Sequence, residues 1–461
     1  MRQYLRPTLA TAVTVALSGG LLTFVAATPA TAASGQYTAD FNGDGYKDAV
    51  ATAPQAAVGG TWWAGAVGIV YGSAAGVGRA ASVSQNTAGV PGAAEDYDTF
   101  GEAVAVGDLN KDGYSDLVVG VPNETVGNDV EGGTVVIVWG SSSGLKGATT
   151  VQDPAPGKHD RWGQALAVGD FTGDGRPDLA VGSTGTTQYI VKGGFTKAGA
   201  TGAKLTYTTS WTGSKGVTRL TSGKVNTDAK ADLVIGGSVT TGSENHLDHN
   251  YLYLGTSSVP SKKTKLPYGT QTALADLDKD GYGDVVTGWT QTETGGSLEG
   301  NGAAIVSYLT STGAVSSSLQ LPWPGIPSVG DINGDGRKDL VLGDPDYSAE
   351  AAVAGAVHLY YGTASGLATD AVTLTQDSAG VPGAAETNDF FGEGVLLADL
   401  TKDGKADLLA GANGENDADG LVTLLKGSAS GLITSGVKTY GPSAFGIPTA
   451  DDPRLGSILA G

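Results

Sequence analysis

Asp108, Asn110, Asp112 and Asp116 put oxygen-bearing side chains at positions 1, 3, 5 and 9 of the stretch Asp108-Leu109-Asn110-Lys111-Asp112-Gly113-Tyr114-Ser115-Asp116. Side chains at alternating positions can turn inward together if the chain bends sharply, and Gly113 at position 6 permits that bend. The carbonyl of Tyr114, at position 7, adds one more oxygen. Converging oxygens are the chemistry of a hard divalent cation, which takes about six to eight of them at roughly 2.3–2.6 Å.

The stretch matches the first part of an EF-hand-type calcium loop, but position 12 is Val119 rather than glutamate, so Asp116 must close the site. Leu117-Val118-Val119 follows, so strands rather than helices flank the loop. The unit recurs. One copy carries Asp40, Asn42, Asp44, Tyr46 and Asp48, and another Asp170, Thr172, Asp174, Arg176 and Asp178. A third carries Asp276, Asp278, Asp280, Tyr282 and Asp284, and a fourth Asp331, Asn333, Asp335, Arg337 and Asp339. The last intact copy carries Asp399, Thr401, Asp403, Lys405 and Asp407. With the Asp108 loop this makes six predicted Ca2+ sites, since an ordinary β-turn needs one Asp and one Gly rather than four converging oxygens. A seventh copy, Lys224–Asp232, has lysine at the first ligand position and Ala229 in place of the glycine. It is expected to hold no metal, with the Lys224 ammonium paired to Asp228 and Asp232.

What positions these loops is a repeat. Their starts are spaced by 68, 62, 54, 52, 55 and 68 residues. Within a unit, Phe100–Gly107 reads as a strand into the loop, Asp116–Gly120 as a strand out, Gly133–Gly140 as a third strand and Thr149–Gln152 as a fourth. Four short antiparallel strands with glycine-rich turns describe a propeller blade, and a lone unit of this size buries too little apolar surface to stand by itself. The final segment Leu455–Gly461 repeats Phe100–Val106 and stops short of a loop, while Gln36–Ala39 offers only the tail of such a strand. The expected fold is therefore all-β: a seven-bladed β-propeller with Ca-binding loops, closed by the C-terminal strand joining the N-terminal blade.

Phe100-Gly101 and Gly120-Val121-Pro122 on either side of the acidic loop resemble the FG-GAP repeat of integrin α-subunit propellers. Gly343-Asp344-Pro345 and Thr52-Ala53-Pro54 look like variants of its second half. The paired stretches Gly89–Glu95 and Gly380–Glu386 are similar to those of bacterial members. The resemblance implies calcium between the first two strands of blades and ligands taken on the opposite face. Gly411-Ala412-Asn413 lacks the proline, and the unit at Lys224 has lost most of the pattern.

Residues 1–33 read as a signal peptide: Arg2 and Arg6, an apolar run over Thr11–Ala27, and an Ala30-Thr31-Ala32 cleavage pattern. Residues 34–461 are then the propeller, in a secreted bacterial protein without cysteine. No later segment is long and apolar enough to span a bilayer. The mature chain carries −22, which six divalent ions would bring to −10, so nucleic acid is not an expected partner. A monomer is the expected state, with an extracellular protein or glycan as its unknown partner.

Enzyme signatures are thin. Gly140-Ser141-Ser142-Ser143-Gly144 fits the G-x-S-x-G pattern, but equivalent turns such as Gly72-Ser73-Ala74-Ala75-Gly76 carry alanine at the nucleophile position, which points to a hairpin turn. His246-Leu247-Asp248-His249 reads as a polar loop, and His358, beside Tyr360, as a packing residue. Glu95, Asp98, Glu386 and Asp389 hold matching loop positions. They leave an acidic hydrolase or lyase site acting on polysaccharide as the alternative to a non-catalytic binding or adhesion module. The variable loops after each second strand, including Gln55–Trp63 and Thr290–Asn301, are the expected ligand surface. Trp62-Trp63 either stacks on a ligand or covers a neighbouring blade.

Overall fold

In the structure, a computed structural model, residues 39–209, 215–241, 245–289, 302–348 and 353–461 are described. Blade two shows the plan. Its strands Ala103–Gly107, Asp116–Val121, Thr134–Val138 and Ala148–Val151 pair antiparallel in chain order. The first two strands meet from Ala103↔Gly120 to Gly107↔Asp116, so the acidic loop is the hairpin connecting them. The second strand, DLVVGV, is buried throughout, as a near-continuous apolar run requires. Outer strands are open to water; Val315–Gln320 in blade five is almost wholly exposed.

Six further four-stranded sheets repeat the plan, giving seven blades. Blade one is completed from the other end of the chain. Leu459 and Ala460 pair with Ala51 and Val50, and the Asp48 amide donates to the Ala39 carbonyl at 2.8 Å on the same side of that strand. The two termini thus share one inner strand position, as expected from the cut repeat, and the ring is closed. The expected signal peptide, residues 1–33, lies outside the described residues.

Glycines at both halves of the repeat meet between blades. A Cβ built on Gly120 would fall 2.1 Å from the carbonyl oxygen of Gly163 in blade three, and one on Gly343 or Gly411 equally close to Gly392 or Gly456. Gly163 itself has φ +95°, a left-handed conformation that other residues rarely adopt. The motif is therefore a contact: the bend opening one blade lies against the end of the second strand of the blade before it. Phe100, Trp162, Phe391 and Leu455, each preceding such a bend, are fully buried.

Two expectations need correction. The first strand of blade two begins at Ala103, not Phe100, because Gly101 at φ +96° bends the chain out of strand geometry. His246–His249 is not a loop either. Asp232–Thr241 and Asn245–Leu254 form a long hairpin in blade four, so the histidine pair lies within a strand.

Candidate functional sites on the two faces of the ring

Each acidic loop is anchored at two points. Position 2 is an apolar plug: Phe41, Leu109, Phe171, Val225, Leu277, Ile332 and Leu400 are all at most 1% exposed. Position 9 is a buried carboxylate that accepts two backbone amides. Asp116 takes Leu109 N at 2.9 Å and Gly140 N at 2.9 Å, tying the loop to the end of the third strand. Asp48, Asp178, Asp284, Asp339 and Asp407 do the same, and so does Asp232 in the degenerate copy, at 2.7 Å to Val225 N and 2.9 Å to Gly255 N. Burial pushes these carboxyls upward against the backbone donors that hold them down: Asp48, Asp116 and Asp284 to about 7, Asp407 to about 6.

The rest of the loop wraps around position 1. Asp40 Oδ1 accepts Gly43 N at 2.7 Å, and its Oδ2 accepts Gly45 N at 2.9 Å. The position-6 amide reaches the position-1 carboxylate in all six intact loops. Those glycines have φ between +81° and +91°. Ala229 is not among the residues with positive φ, so the copy at Lys224 has lost the bend along with the first acid. Lys224 Nζ donates to the Asp228 carbonyl oxygen at 3.0 Å rather than to the carboxylates, while Asp228 Oδ2 lies 3.8 Å from Lys230 Nζ. The expected Lys224 pairing is corrected accordingly: Asp232 already serves two amides.

All thirty predicted site residues are described, and every intact loop lies on the same side of the ring. In the fifth blade, carboxylate oxygens of Asp276, Asp278 and Asp284 lie within 4.8 Å of one another. Asp276 Oδ1 there is buried with no hydrogen-bond partner among the described residues. An all-oxygen donor set with an unpaired buried acceptor fits a hard divalent cation. Elsewhere the outer oxygen of position 5 meets a base: Asp112 and Lys197 at 3.0 Å, Asp174 and Lys192 at 2.9 Å, Asp335 and Arg337 at 3.3 Å, Asp403 and Lys405 at 3.3 Å.

The opposite face carries Trp62 and Trp63 and the acids Glu95, Asp98, Glu386 and Asp389. Trp62 is 56% exposed and Tyr97 39%. They are joined through the backbone, since Tyr97 N donates to the Trp62 carbonyl at 2.8 Å, and Trp62 N donates to Asp96 Oδ1 at 2.8 Å. Trp63 is half-buried and meets the Tyr97 ring edge-on at 5.7 Å. Trp63 is thus packed on Tyr97 while Trp62 stays exposed. Trp63 and Tyr97 have φ +50° and +72°, but Val353 and Asn388 repeat those conformations in other blades, so the strain belongs to the architecture.

Asp98 and Asp389 are each 2% exposed, with one oxygen on the amide of Glu95 or Glu386. His358 is fully buried, stacked on Trp323 at 4.5 Å, and hydrogen-bonded to Thr373 and Asp344, as a packing residue should be. Gly144 N donates to the Ser141 carbonyl at 2.7 Å, making Ser141–Gly144 a hairpin turn. Thr290–Asn301 lies outside the described residues.

A seven-bladed ring whose blades meet through the two halves of this glycine motif defines an FG-GAP propeller. Four stretches of the chain, residues 100–138, 162–201, 323–360 and 391–425, match the FG-GAP repeat, and they are blades two, three, six and seven. The chain carries FG-GAP repeats in those four places. It is 34% identical over 169 residues to human phosphatidylinositol-glycan-specific phospholipase D, which covers 32% of this chain and 19% of that protein. It is 39% identical over 95 residues to integrin alpha pat-2 of Caenorhabditis briggsae, 20% of this chain and 7% of the integrin. The chain thus matches about a fifth or less of either relative's length. Among solved structures, the exotype rhamnogalacturonan lyase YesX aligns over 91% of this chain and 67% of its own at 13% identity, TM-score 0.44.

Sequence reasoning passed over Gln85, Gln376 and Glu415, polar residues buried near Asp98 and Asp389, and the half-buried Glu124. The available signal was internal: 85, 95, 98 and 124 recur 291 positions later as 376, 386, 389 and 415, with the same residue types.

Proposed function

We propose that this protein is an exported, calcium-stabilised, non-catalytic binding module. Its six acidic loops hold Ca2+ as structural rivets, and its ligand surface is the opposite face. Asp, Asn and Thr side chains at positions 1, 3 and 5 are the ligands, with the position-7 carbonyl and the Asp at position 9, whose oxygens keep a free lone pair beside the amides they accept. Calcium supplies positive charge to loops that otherwise hold three or four carboxylates in mutual repulsion.

The observation that carries the reading is Trp62, half-exposed on a turn whose backbone is pinned by Asp96 and Tyr97. A rigid exposed tryptophan beside a second exposed aromatic offers contact area at low entropic cost, for a sugar face or an apolar side chain of a protein. The integrin relatives favour a macromolecular partner. The polysaccharide hydrolase or lyase alternative keeps the exposed Glu95 and Glu386, while Asp98 and Asp389 are buried away from a bound chain.

The test is binding to a panel of extracellular polysaccharides and cell-wall proteins by wild type, Trp62→Ala and a control changed on the loop face, Lys279→Ala. Binding lost only in Trp62→Ala supports the reading. Binding retained in Trp62→Ala, or release of polysaccharide fragments by wild type that Glu95→Ala abolishes, overturns it.

A further inference from the structure

On the loop face, a cleft of about 390 Å3 opens between blades one and two. It is lined by Asp44 of the first acidic loop, Tyr71 and Arg79 of blade one, and Ser142 and Ser143 of blade two. That volume lies within the usual range of small-molecule sites, about 300–1,000 Å3. Tyr71 and Arg79 face each other across the strands Ala66–Ser73 and Gly76–Val83, and the guanidinium lies over the ring, 4.0 Å from its centroid. Nη2 of Arg79 donates to the Ser143 carbonyl at 3.0 Å, so the group is held from both blades. Gly144 leaves room for it: a Cβ there would fall 2.6 Å from Arg79 Nη2 and strike the Tyr71 hydroxyl.

The tyrosine belongs to the shared architecture, and the arginine does not. Tyr308 and Tyr361 abut the turn of the next blade in the same way, at Gly366 and Gly431. Opposite Tyr308 stands Ser317, and no cation lies over Tyr308 or Tyr361 among the described residues. Arg79 makes no ion pair, and its Nε and Nη1 have no hydrogen-bond partner among the described residues. In a chain with 47 acids for 27 bases, a fixed guanidinium left without a carboxylate needs a reason. Asp44, on the other wall, is spare as well. Asp112, Asp174, Asp335 and Asp403 each meet a base from this loop position, whereas Asp44 meets none among the described residues.

We propose that this cleft binds an acidic sugar, its carboxylate on the Arg79 guanidinium and its hydroxyls on Asp44 and Ser142. A guanidinium presents planar N–H donors that suit a carboxylate, and one already ordered by Tyr71 and Ser143 loses little further freedom on binding. A bare anion would meet Asp44 with the wrong sign, whereas a sugar hydroxyl donates to that carboxylate. A neutral sugar would leave the guanidinium unmatched. The same chemistry is carried by a free uronate and by a uronate residue of a polysaccharide. The cleft lies on the other face from Trp62 and shares no residue with that surface, so the two assignments stand or fall separately.

The experiment is saturation-transfer NMR on the full chain with four probes: D-glucuronate, D-glucose, acetate, and a tetrasaccharide alternating glucuronate with N-acetylglucosamine. A ligand of glucuronate's size should bind with a Kd of about 1 mM. Glucose and acetate should bind about tenfold more weakly or worse, since each lacks one half of the match. Arg79→Gln should weaken glucuronate by about tenfold or more, Arg79→Lys should keep part of the binding, and Trp62→Ala should behave as wild type. A tetrasaccharide that binds more tightly than glucuronate assigns the site to a polysaccharide; one that binds no better assigns it to the free acid. Glucose or acetate binding as well as glucuronate would overturn the proposal, and these wild-type comparisons depend on no variant folding. Failure of both glucuronate and the tetrasaccharide to bind, or undiminished binding by Arg79→Gln, would overturn it too. Repeating the Trp62→Ala panel in the Arg79→Gln background keeps a failure of one site from being read as a failure of the other.

Discussion

The backbone amide of Ser115 lies 2.9 Å from the carbonyl oxygen of Asp40, and the amide of Asp40 returns to Ser115 Oγ at 3.1 Å. Position 8 of one acidic loop is thereby tied to position 1 of the loop in the blade before it. Ala231 and Asp170, at 2.8 Å, and Ala406 and Asp331, at 2.7 Å, repeat the link elsewhere on the ring. Because position 1 also gathers the amides of its own loop, whatever stiffens one loop is felt by its neighbour.

Removing divalent ions should therefore soften the whole ring. At about 1 mM Ca2+ and a Kd near 0.1 mM, linkage gives roughly 1.4 kcal/mol per loop. Six loops would add about 8 kcal/mol, against a usual total of about 5–15 kcal/mol. Calorimetry with and without EGTA should show a large fall in melting temperature; an unchanged midpoint would remove calcium from the account.

The degenerate blade offers a gain-of-site test. Lys224→Asp with Ala229→Gly restores the first acid and the residue able to bend, while Asn226, Asp228 and Asp232 already stand at the other positions. The double variant is expected to bind one more Ca2+ than wild type by mass spectrometry under native conditions. An unchanged count would mean that loop sequence alone does not make the site.

Asp232 separates the anchoring role of position 9 from any role in metal binding. Asp232→Ala leaves the amides of Val225 and Gly255 buried without acceptors, at about 1–3 kcal/mol each. The loss of stability in urea, about 2–4 kcal/mol, should be the same in Ca2+ and in EGTA. A loss seen only with Ca2+ would make Asp232 a ligand.

Gly120→Ala should cost at least as much, because the new methyl would meet the Gly163 carbonyl oxygen at 2.1 Å and neither backbone can yield without shifting a blade. We expect a loss of about 3 kcal/mol or more, or failure to fold, whereas Gly113→Ala should mainly lower Ca2+ affinity, since a Cβ there meets nothing within 4 Å but its φ is +89°. Urea midpoints and Ca2+ titrations of the two variants distinguish these outcomes.

In EGTA, burial and the neighbouring carboxyls hold Glu124 up at about 7 and Asp98 at about 6. A carboxyl whose folded pKa is raised contributes stability below its unfolded pKa and loses it as pH rises through the folded value. Stability without metal should thus fall between about pH 4.5 and 7, by about 1–2 kcal/mol for Glu124 after allowance for solvent screening. Asp48, Asp116 and Asp284 act in the same direction. The useful measurement is therefore the difference between wild type and Glu124→Gln from pH 5 to pH 8; parallel curves would contradict it.

Much of this was legible in the chain. The acids at 1, 5 and 9, the position-6 glycine and the cut repeat at the two ends are local patterns, and local patterns report blade count and loop position because every blade but the first is built from one contiguous stretch. Phe100-Gly101 and Gly120 were visible as a motif, but their purpose was not: Gly120 is glycine because Gly163, in another blade, lies against it. The two anchoring amides of Asp116 were equally out of sight, since one comes from Gly140, the far end of a different strand.

The face opposite the acidic loops shows the same division. Residue types alone marked Trp62 and Trp63 as a pair; the turn geometry sent one outward and the other onto Tyr97. Gln85, Asp98 and Glu124 are separated by up to 39 positions and belong to two blades, so only the packing of blade two on blade one makes them neighbours. Sequence determined what each blade could be, because strand pairing and loop bending depend on residues close in the chain. The packing of blade on blade decided which polar atoms were buried together, because burial is a property of surfaces that meet only after the ring has formed.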